Sequence, residues 1–436
     1  MTSWLAGAAT SLFTVPRGTA LGGYADRPDV SRGTADQLEI NALVLQAEDA
    51  TLHIVAADVI GVDPSLVDEI AAAAEIASNA LILAASHTHS GPIGVPLRLH
   101  PASDPTVDPV LRRQFVNLAS DAIRRASAGR AGAVLQHGTV DVPGAWSNRN
   151  NPELAADSRV RVLAVRGAAA DDLVALVALI PCHPTILGAS NLLVSADLHG
   201  GIRRALRTSI DDDVPILTLT GAAGDVSTRF TRRESTLRET DRLGAIVTEP
   251  LASALPDLAP VAPGLTGMAT EVRLIPRHLD PHTVQGALKA AQNAWQVVDE
   301  DTTASEAARR VAWTRLQGAE IQARIADLPP VEAPLLAWRL GDELAIVTIP
   351  GELFSSLGQQ IESSGNGANV WVVGYANGYI GYLVDSDAVS RGTYEAFASP
   401  WSTESSGQMV TAATELVERL MSASTDSDCE TTDSLT

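Results

Sequence analysis

The sequence is poor in cysteine: of its 436 residues only Cys182, in ALIPCHP, and Cys429, in a polar C-terminal stretch, carry a thiol. Two thiols cannot staple a disulfide-rich secreted module, and the count fits a reducing setting. No apolar run approaches the roughly 18 residues a membrane span requires. The opening MTSWLAGAATSLFTVPRG lacks the basic flank and long apolar core of a signal peptide. Together these absences lead to the expectation of a cytoplasmic protein with no membrane span. Positive charge is also scarce, with 31 Lys and Arg against 52 Asp and Glu, a formal net charge of -21. No long basic block offsets that repulsion, so nucleic acid and anionic membrane are disfavoured as general partners. Compact catalytic motifs are missing as well: there is no HExxH, CxxC or EF-hand loop, and no Gly-x-Ser-x-Gly elbow. The glycine-rich GAAGDVSTRF lacks the terminal Gly-Lys-Ser/Thr of a phosphate-binding loop. Any metal site must therefore be assembled from distant loops.

What is present is a chain long enough for a large core, with β-rich and helical patterns in alternation. Residues 36–60 hold two β-rich runs around the turn-forming EDA, and a helix over 64–77 follows, with Asp63 as its cap and Pro64 in its first turn. The run ALILAAS reads as a buried strand, PVLRRQFVNLASDAIRRASA as an amphipathic helix, and AVLQHGTVDV, SRVRVLAVRG and DLVALVALI as strands. Further on come the helix HGGIRRALRTSI, the strand PILTLTG and a helix through TLRETDRLGAIVTEPLASAL. Next are two helices broken near DEDTT, and a hairpin turning at Gly341-Asp342. The pattern predicts an α/β fold, one large domain over 1–420 with a mixed β-sheet core flanked by helices, and a disordered polar tail over 421–436.

Polar residues at strand exits are where open α/β folds build sites. His87 and His89 follow ALILAA in ASHTHSGP, and alternating strand geometry would point them to one side. They suit metal ligation, catalysis or loop-positioning hydrogen bonds. His183 follows LVALVALIPC, Asp225 and Ser227 lie in GAAGDVSTRF, and Glu352 follows a short β-rich run in TIPGELF. Four of the five tyrosines, Tyr375, Tyr379, Tyr382 and Tyr394, fall in one segment, which is odd for core filling alone.

The blocks GGYADR, ASHTHSGP, NRNNP, CHPTILGASNLLVSADLHG, GAAGDVS, IPGELF and GYANGYIGYL with TYE downstream span roughly residues 12–400. In that order they resemble the N-terminal catalytic domain of the neutral/alkaline, non-lysosomal ceramidase family. The resemblance implies one zinc ion held by His87, His183, Glu352 and Tyr382, with Tyr379 the competing tyrosine. It implies that His89 and Tyr394 contact the substrate carbonyl region, that Arg149 lines the cleft, and that Ser227 orients groups or donates a hydrogen bond rather than acting as nucleophile. The implied activity is hydrolysis of an amide, an N-acyl amine or ceramide-like small molecule, by zinc-activated water. A zinc-dependent ester or lactone hydrolase and a non-catalytic binding protein are the alternatives. This sequence departs from the family in reading Asn-Arg-Asn-Asn-Pro for the usual Asn-Arg-Ser-Pro and in having Leu198 and His199 where Asn and Lys are usual, and the expectation is a catalytic domain without the family's C-terminal immunoglobulin-like domain.

Overall fold

The computed structural model describes residues 3–99, 101–210, 213–365 and 367–423. In chain order the principal strands are β1 (Trp4–Phe13), β2 (Leu38–Ala47), β3 (Ala50–Ala57), β4 (Leu81–Ala85), β5 (Ala131–Asp141), β6 (Arg159–Gly167), β7 (Leu173–Ile180), β8 (Ile216–Thr220), β9 (Ala259–Val261), β10 (Leu265–Leu274), β11 (Val331–Leu340), β12 (Leu344–Thr348) and β13 (Asn369–Val373). The helices are α1 (Pro64–Ala74), α2 (Pro109–Ala128), α3 (Asp197–Ile210), α4 (Leu237–Ala254), α5 (Pro281–Glu300), α6 (Glu306–Ile325), α7 (Ser355–Glu362), α8 (Ser386–Arg391), α9 (Tyr394–Ala398) and α10 (Thr403–Ser422).

Two sheets stack face to face. The larger runs β8-β7-β6-β5-β1-β2-β3-β4, with β9 added to β5, and the smaller runs β10-β11-β12-β13. Trp4, Leu43, Ile54 and Leu217 from the larger sheet meet Trp338, Ile346 and Trp371 from the smaller in one apolar layer. The outer face of the larger sheet is covered by α1 and α2 at one end and by α3 and α4 at the other. Helices α7 and α10 cover the smaller sheet. This is the mixed α/β core flanked by helices that the sequence pattern predicts, now resolved into four layers. Strands such as β4, LILAA, are buried at every position, which is why they read as continuous apolar runs.

The local chemistry of the elements follows the sequence. Asp63 caps α1 by accepting from Leu66 N, with Pro64 in the first turn, and Asp108 and Thr236 cap α2 and α4 in the same manner. Helices α3 and α4 cross closely because Gly201 and Gly244 meet there: a Cβ on Gly201 would stand 2.1 Å from Thr240 O. The β11–β12 hairpin turns at Gly341 with φ 59°, as its Gly-Asp signal requires. Three of the principal strands escaped the sequence reading: β9, Ala259–Val261, lies in ALPDLAPVAPGL, which reads as a surface connection, and the other two are longer. Trp4–Phe13, considered there only as a leader candidate, is β1 in the middle of the larger sheet. Asn369–Val373 is β13, in a stretch notable at first for its tyrosines. Helix α10 runs to Ser422, two residues into the expected polar tail, and residues 424–436 lie outside the described residues. Among the described residues no helix is long and apolar enough to cross a membrane.

One topological feature places the site. Among the described residues, three neighbouring pairs within the two sheets are parallel: β3 with β4, β7 with β8, and β12 with β13. The larger sheet curls until its edge strands β4 and β8 approach each other, and residues 374–377, leaving β13, fasten them. Gly374 N donates to Thr220 O at the end of β8 (2.9 Å), while Ala85 N of β4 donates to Tyr375 O (3.0 Å) and Asn377 N to Leu83 O (2.9 Å). Thr220 Oγ1 also donates directly to Ser86 O (3.0 Å). The carboxyl ends of all three parallel pairs therefore open into one place.

Candidate metal centre

His87 follows β4, His183 follows β7, Ser227 follows β8, Glu352 follows β12 and Tyr375 follows β13. Five residues from distant parts of the chain are thus delivered to one point. One ring nitrogen from each of His87, His89 and His183 lies within 4.8 Å of the others, and all three residues are buried. His183 Nε2 stands 2.8 Å and His87 Nε2 3.5 Å from Glu352 Oε2. His89 Nε2 lies 3.2 Å from His87 Nε2. The two histidines of ASHTHSGP do share a side, but not through strand alternation. His87 has left the strand and adopts φ 61°, and Tyr375, stacked on its ring at 4.3 Å, adopts φ 55°. Positive φ is costly for bulky side chains and is found where surrounding structure over-determines it, typically at sites.

The proton positions on two of the rings follow from their partners. His87 Nδ1 faces Ile60 O at 2.6 Å and His183 Nδ1 faces Ala223 O at 2.5 Å. A carbonyl oxygen can only accept, so each Nδ1 carries the proton and donates it. In the neutral rings both Nε2 lone pairs then confront a carboxylate oxygen, which is repulsive unless a cation is shared among them. A shared proton is disfavoured at His183, which burial and the charge of Arg149 push down to about 4. Burial and the neighbouring imidazoles push His89 well below its usual value too. Burial opposes ionisation of Glu352, and positive charge placed at His87 and His183 holds the carboxyl well below the usual range; with His183 neutral, a bound cation would supply that charge. Neutral imidazoles with oriented lone pairs beside a buried ionised carboxylate are the donor set of a divalent cation, and the Nδ1–carbonyl bonds are the supports such ligands use. The residues present fit a metal ion.

The remaining expected residues gather round this cluster in different roles. Tyr379 OH donates to Glu352 Oε1, and Tyr375 OH lies 3.5 Å from His183 Nε2. Tyr382, whose backbone pairs with Glu352, receives a hydrogen bond from Arg149 Nη2 at 3.0 Å. Arg149 also donates to Gly224 O and forms an ion pair with Glu395 at 2.8 Å. Tyr394 begins α9 at the mouth, 46% exposed, its ring 6.4 Å from that of Tyr382. Ser227 is buried and its Oγ accepts from Arg229 N at 3.2 Å. Among the described residues no imidazole or carboxylate bonds to that Oγ, as an activated serine nucleophile would require. Asp225 braces the loop. Its carboxylate accepts from Ser355 N and Oγ (2.7 and 2.9 Å) and from Asn148 Nδ2 (2.8 Å), tying the Ser227, Glu352 and Arg149 segments together.

The block GGYADR proves to be the seat of His89. The Tyr24 ring packs edge-on against the imidazole at 4.9 Å, with its OH on Leu187 O at 3.1 Å, and Arg27 donates to His89 O. Gly23 has φ 88°, and a Cβ there would lie 2.2 Å from the ring of His89. Gly23→Ala is therefore expected to displace His89 and strain the turn. A loss of about 1–3 kcal/mol in stability should accompany a much larger fall in turnover; an unchanged kcat would show that the position of His89 is immaterial.

No family model and no curated protein matches the sequence. Solved ceramidase structures match the fold. The neutral ceramidase from Pseudomonas aeruginosa superposes with a TM-score of 0.76 at 17% identity, covering 97% of this chain and 75% of that one. A ceramidase complexed with C2 gives a TM-score of 0.75 at 17% identity, covering 96% and 75%. At this identity the comparison establishes the fold, which is the one the sequence resemblance implies.

Proposed function

We propose that this chain, which carries the neutral ceramidase fold, is a metal-dependent hydrolase of linear amides. The observation that carries the reading is the convergence of His87 and His183 lone pairs on the buried Glu352 carboxylate, 3.5 and 2.8 Å away, with His89 alongside. His87, His183 and Glu352 would hold the ion, and a phenol would complete the set. Tyr382 suits that place: burial pushes its hydroxyl well above the usual value, but the guanidinium of Arg149 opposes this and favours the phenolate. Tyr379 is already engaged in donating to Glu352. The donor set favours zinc, which when bound polarises a carbonyl and brings the pKa of water toward neutrality.

The chain's own residues would do the rest. His89, neutral through burial and with Nδ1 lacking a hydrogen-bond partner among the described residues, can hold or pass a proton beside the scissile carbon. Desolvation at the hydroxyl end of the half-exposed Tyr394 ring, with the charge of Glu352, pushes the phenol above its usual value, so it stays protonated and at the mouth can donate to the carbonyl oxygen as negative charge grows there. Ser227 contributes a hydroxyl that orients substrate, and Arg149 fixes Tyr382 and, through Glu395, the start of α9. Hydrolysis yields a carboxylate and an amine.

Metal content of the purified protein, followed by hydrolysis of matched amides and esters before and after chelation, tests the reading. About one equivalent of zinc, amide turnover abolished by chelator and restored by zinc is the expected result. Metal-free protein that binds but never cleaves would make this a binding protein, and esters cleaved without amides would make it an esterase.

A further inference from the structure

Ser227 is followed by Thr-Arg-Phe-Thr-Arg-Arg, three arginines within six residues of a chain whose net charge is -21. Some arginines elsewhere on this acidic surface find carboxylates, as in Arg32 with Asp29 (3.0 Å), Arg125 with Asp121 (2.8 Å) and Arg238 with Glu234 (3.0 Å), while others, such as Arg98, Arg124 and Arg277, hold backbone carbonyls. Among the described residues neither Arg229 nor Arg232 has an acidic side chain within ion-pair distance, and neither has Arg27 on the far side of Tyr24.

The segment that carries them is pinned. Thr231 N and Arg232 N donate to Thr228 O (3.1 and 2.8 Å), and Thr231 Oγ1 donates to Ala145 O at 2.8 Å. Arg229 N donates to Ser227 Oγ, and Arg233 N to Glu239 Oε1 at 2.8 Å. The Arg232 guanidinium is held on Thr185 O, two residues past His183, and is near enough to Tyr24 for its charge to act on the phenol. The carboxylates that also act on Tyr24 are Asp26 and the buried Asp197. Asp197 is saturated by the backbone N–H groups of Ile186, Leu187 and Leu198. Arg229 is exposed, its guanidinium 5.7 Å from the ring of Phe230, which is itself 49% exposed. Arg232, held on a loop carbonyl, and the exposed Arg229 thus put two guanidinium groups without a carboxylate in ion-pair distance on the segment that follows Ser227, next to Tyr24 and, through its ring, to His89. A carboxylate or phosphate on a substrate is the group such guanidinium forks bind bidentately.

We infer that the substrate is an anionic amide, with the Arg229–Arg232 segment as its charge-recognition element. The inference rests on the hydrolase reading of the same site and supplies its missing substrate class. The rival explanation, that the arginines only hold loop carbonyls, predicts altered stability but no change in charge preference.

The zinc-loaded protein is assayed with amides that vary the charge: N-octanoylglycine, N-succinyl-octylamine, N-octanoyl-phosphoethanolamine and the neutral N-octanoylethanolamine. The same compounds are titrated calorimetrically in parallel. At least one anionic member should exceed the neutral one by about tenfold or more in kcat/KM, with its KM rising with salt. Comparing the carboxylate and phosphate members then identifies the group. In Arg229→Gln and Arg232→Gln the anionic-to-neutral ratio should collapse towards unity, and Arg229→Lys should restore part of it. Equal or better use of the neutral amide, or a ratio that survives both substitutions, overturns the inference. Should no amide be cleaved, the hydrolase reading falls and the binding ratio decides alone: anionic preference lost in the glutamine variants sustains charge recognition, and equal binding rejects it.

Discussion

His183→Ala should abolish metal binding and activity together. His183 is the best-supported donor, fully buried, with its amide on Val226 O (3.0 Å), its Nδ1 on Ala223 O (2.5 Å) and its Nε2 2.8 Å from Glu352. Loss of a partner that merely orients a ligand typically costs 10–100-fold in metal affinity, so loss of the ligand itself should exceed roughly 100-fold, with hydrolysis at background. Stability should fall less dramatically, because the cavity left is small and lined by groups a water can satisfy. Measuring zinc stoichiometry and affinity separates this from simple unfolding: a folded, zinc-free protein is expected. A variant that keeps its zinc and its turnover would remove His183 from the centre. The same measurement ranks the tyrosines. Tyr382→Phe should lower zinc affinity more than Tyr379→Phe, since the latter loses only a bond to Glu352.

Arg203→Met should have the largest effect on stability of any substitution far from the cluster. Arg203 is buried in α3 and grips Asp58 with both terminal nitrogens, Thr218 Oγ1 at 2.9 Å, and Glu39 through Nε at 3.3 Å. Asp58 ends the segment whose next two carbonyls, Val59 O and Ile60 O, receive His87 N and Nδ1. Removing the guanidinium leaves two buried carboxylates short of their cation, which costs about 3–5 kcal/mol, and it loosens the seat of His87. Chemical denaturation should show that loss, and Arg203→Met with Asp58→Asn should recover part of it. A cost below about 1 kcal/mol would mean that the group is solvated after all. The pair also sets an acid limit. Burial would raise the Glu39 carboxyl, but the charge of Arg203 and the hydrogen bonds of Arg207 and Asn41 bring it down from 4.5 to about 2. A depressed carboxyl stabilises the fold above its unfolded value and ceases to do so as pH falls through its folded value. The contribution of Glu39, about 3 kcal/mol, should be intact at pH 7 and disappear between pH 4.5 and about 2. In Glu39→Gln that part of the acid sensitivity should be absent.

The elements with strong periodicity or clear caps were legible before the structure. Asp63 and Pro64 announce α1, and the Gly341-Asp342 turn announces the β11–β12 hairpin. Strand-exit position, a property of topology visible in sequence, singled out His87, His183, Ser227 and Glu352. What was not legible depends on contacts between distant segments. Nothing local tells that β1 lies mid-sheet, since WLAGAATSLF has small residues where β-branched ones would signal a strand. The division of labour among Tyr375, Tyr379 and Tyr382 is decided by which hydroxyl reaches which partner across the two sheets. Gly23 and Tyr24 stood in a recognisable block, but their role as the seat of His89 arises from packing over sixty residues of chain. A positive φ at a histidine leaves no trace in composition.

The strap at 374–377 has a mechanical consequence. The residues that close the curled sheet between Thr220 and Ala85 also carry Tyr375 onto the ring of His87, so seam and centre are one construction. Thermal breathing at that seam would unstack the ring and open a strand edge in the same motion, and neither can be relaxed alone. A protein built this way should lose its catalytic competence and its resistance to strand-to-strand association at a single temperature, rather than passing through an inactive yet well-closed form.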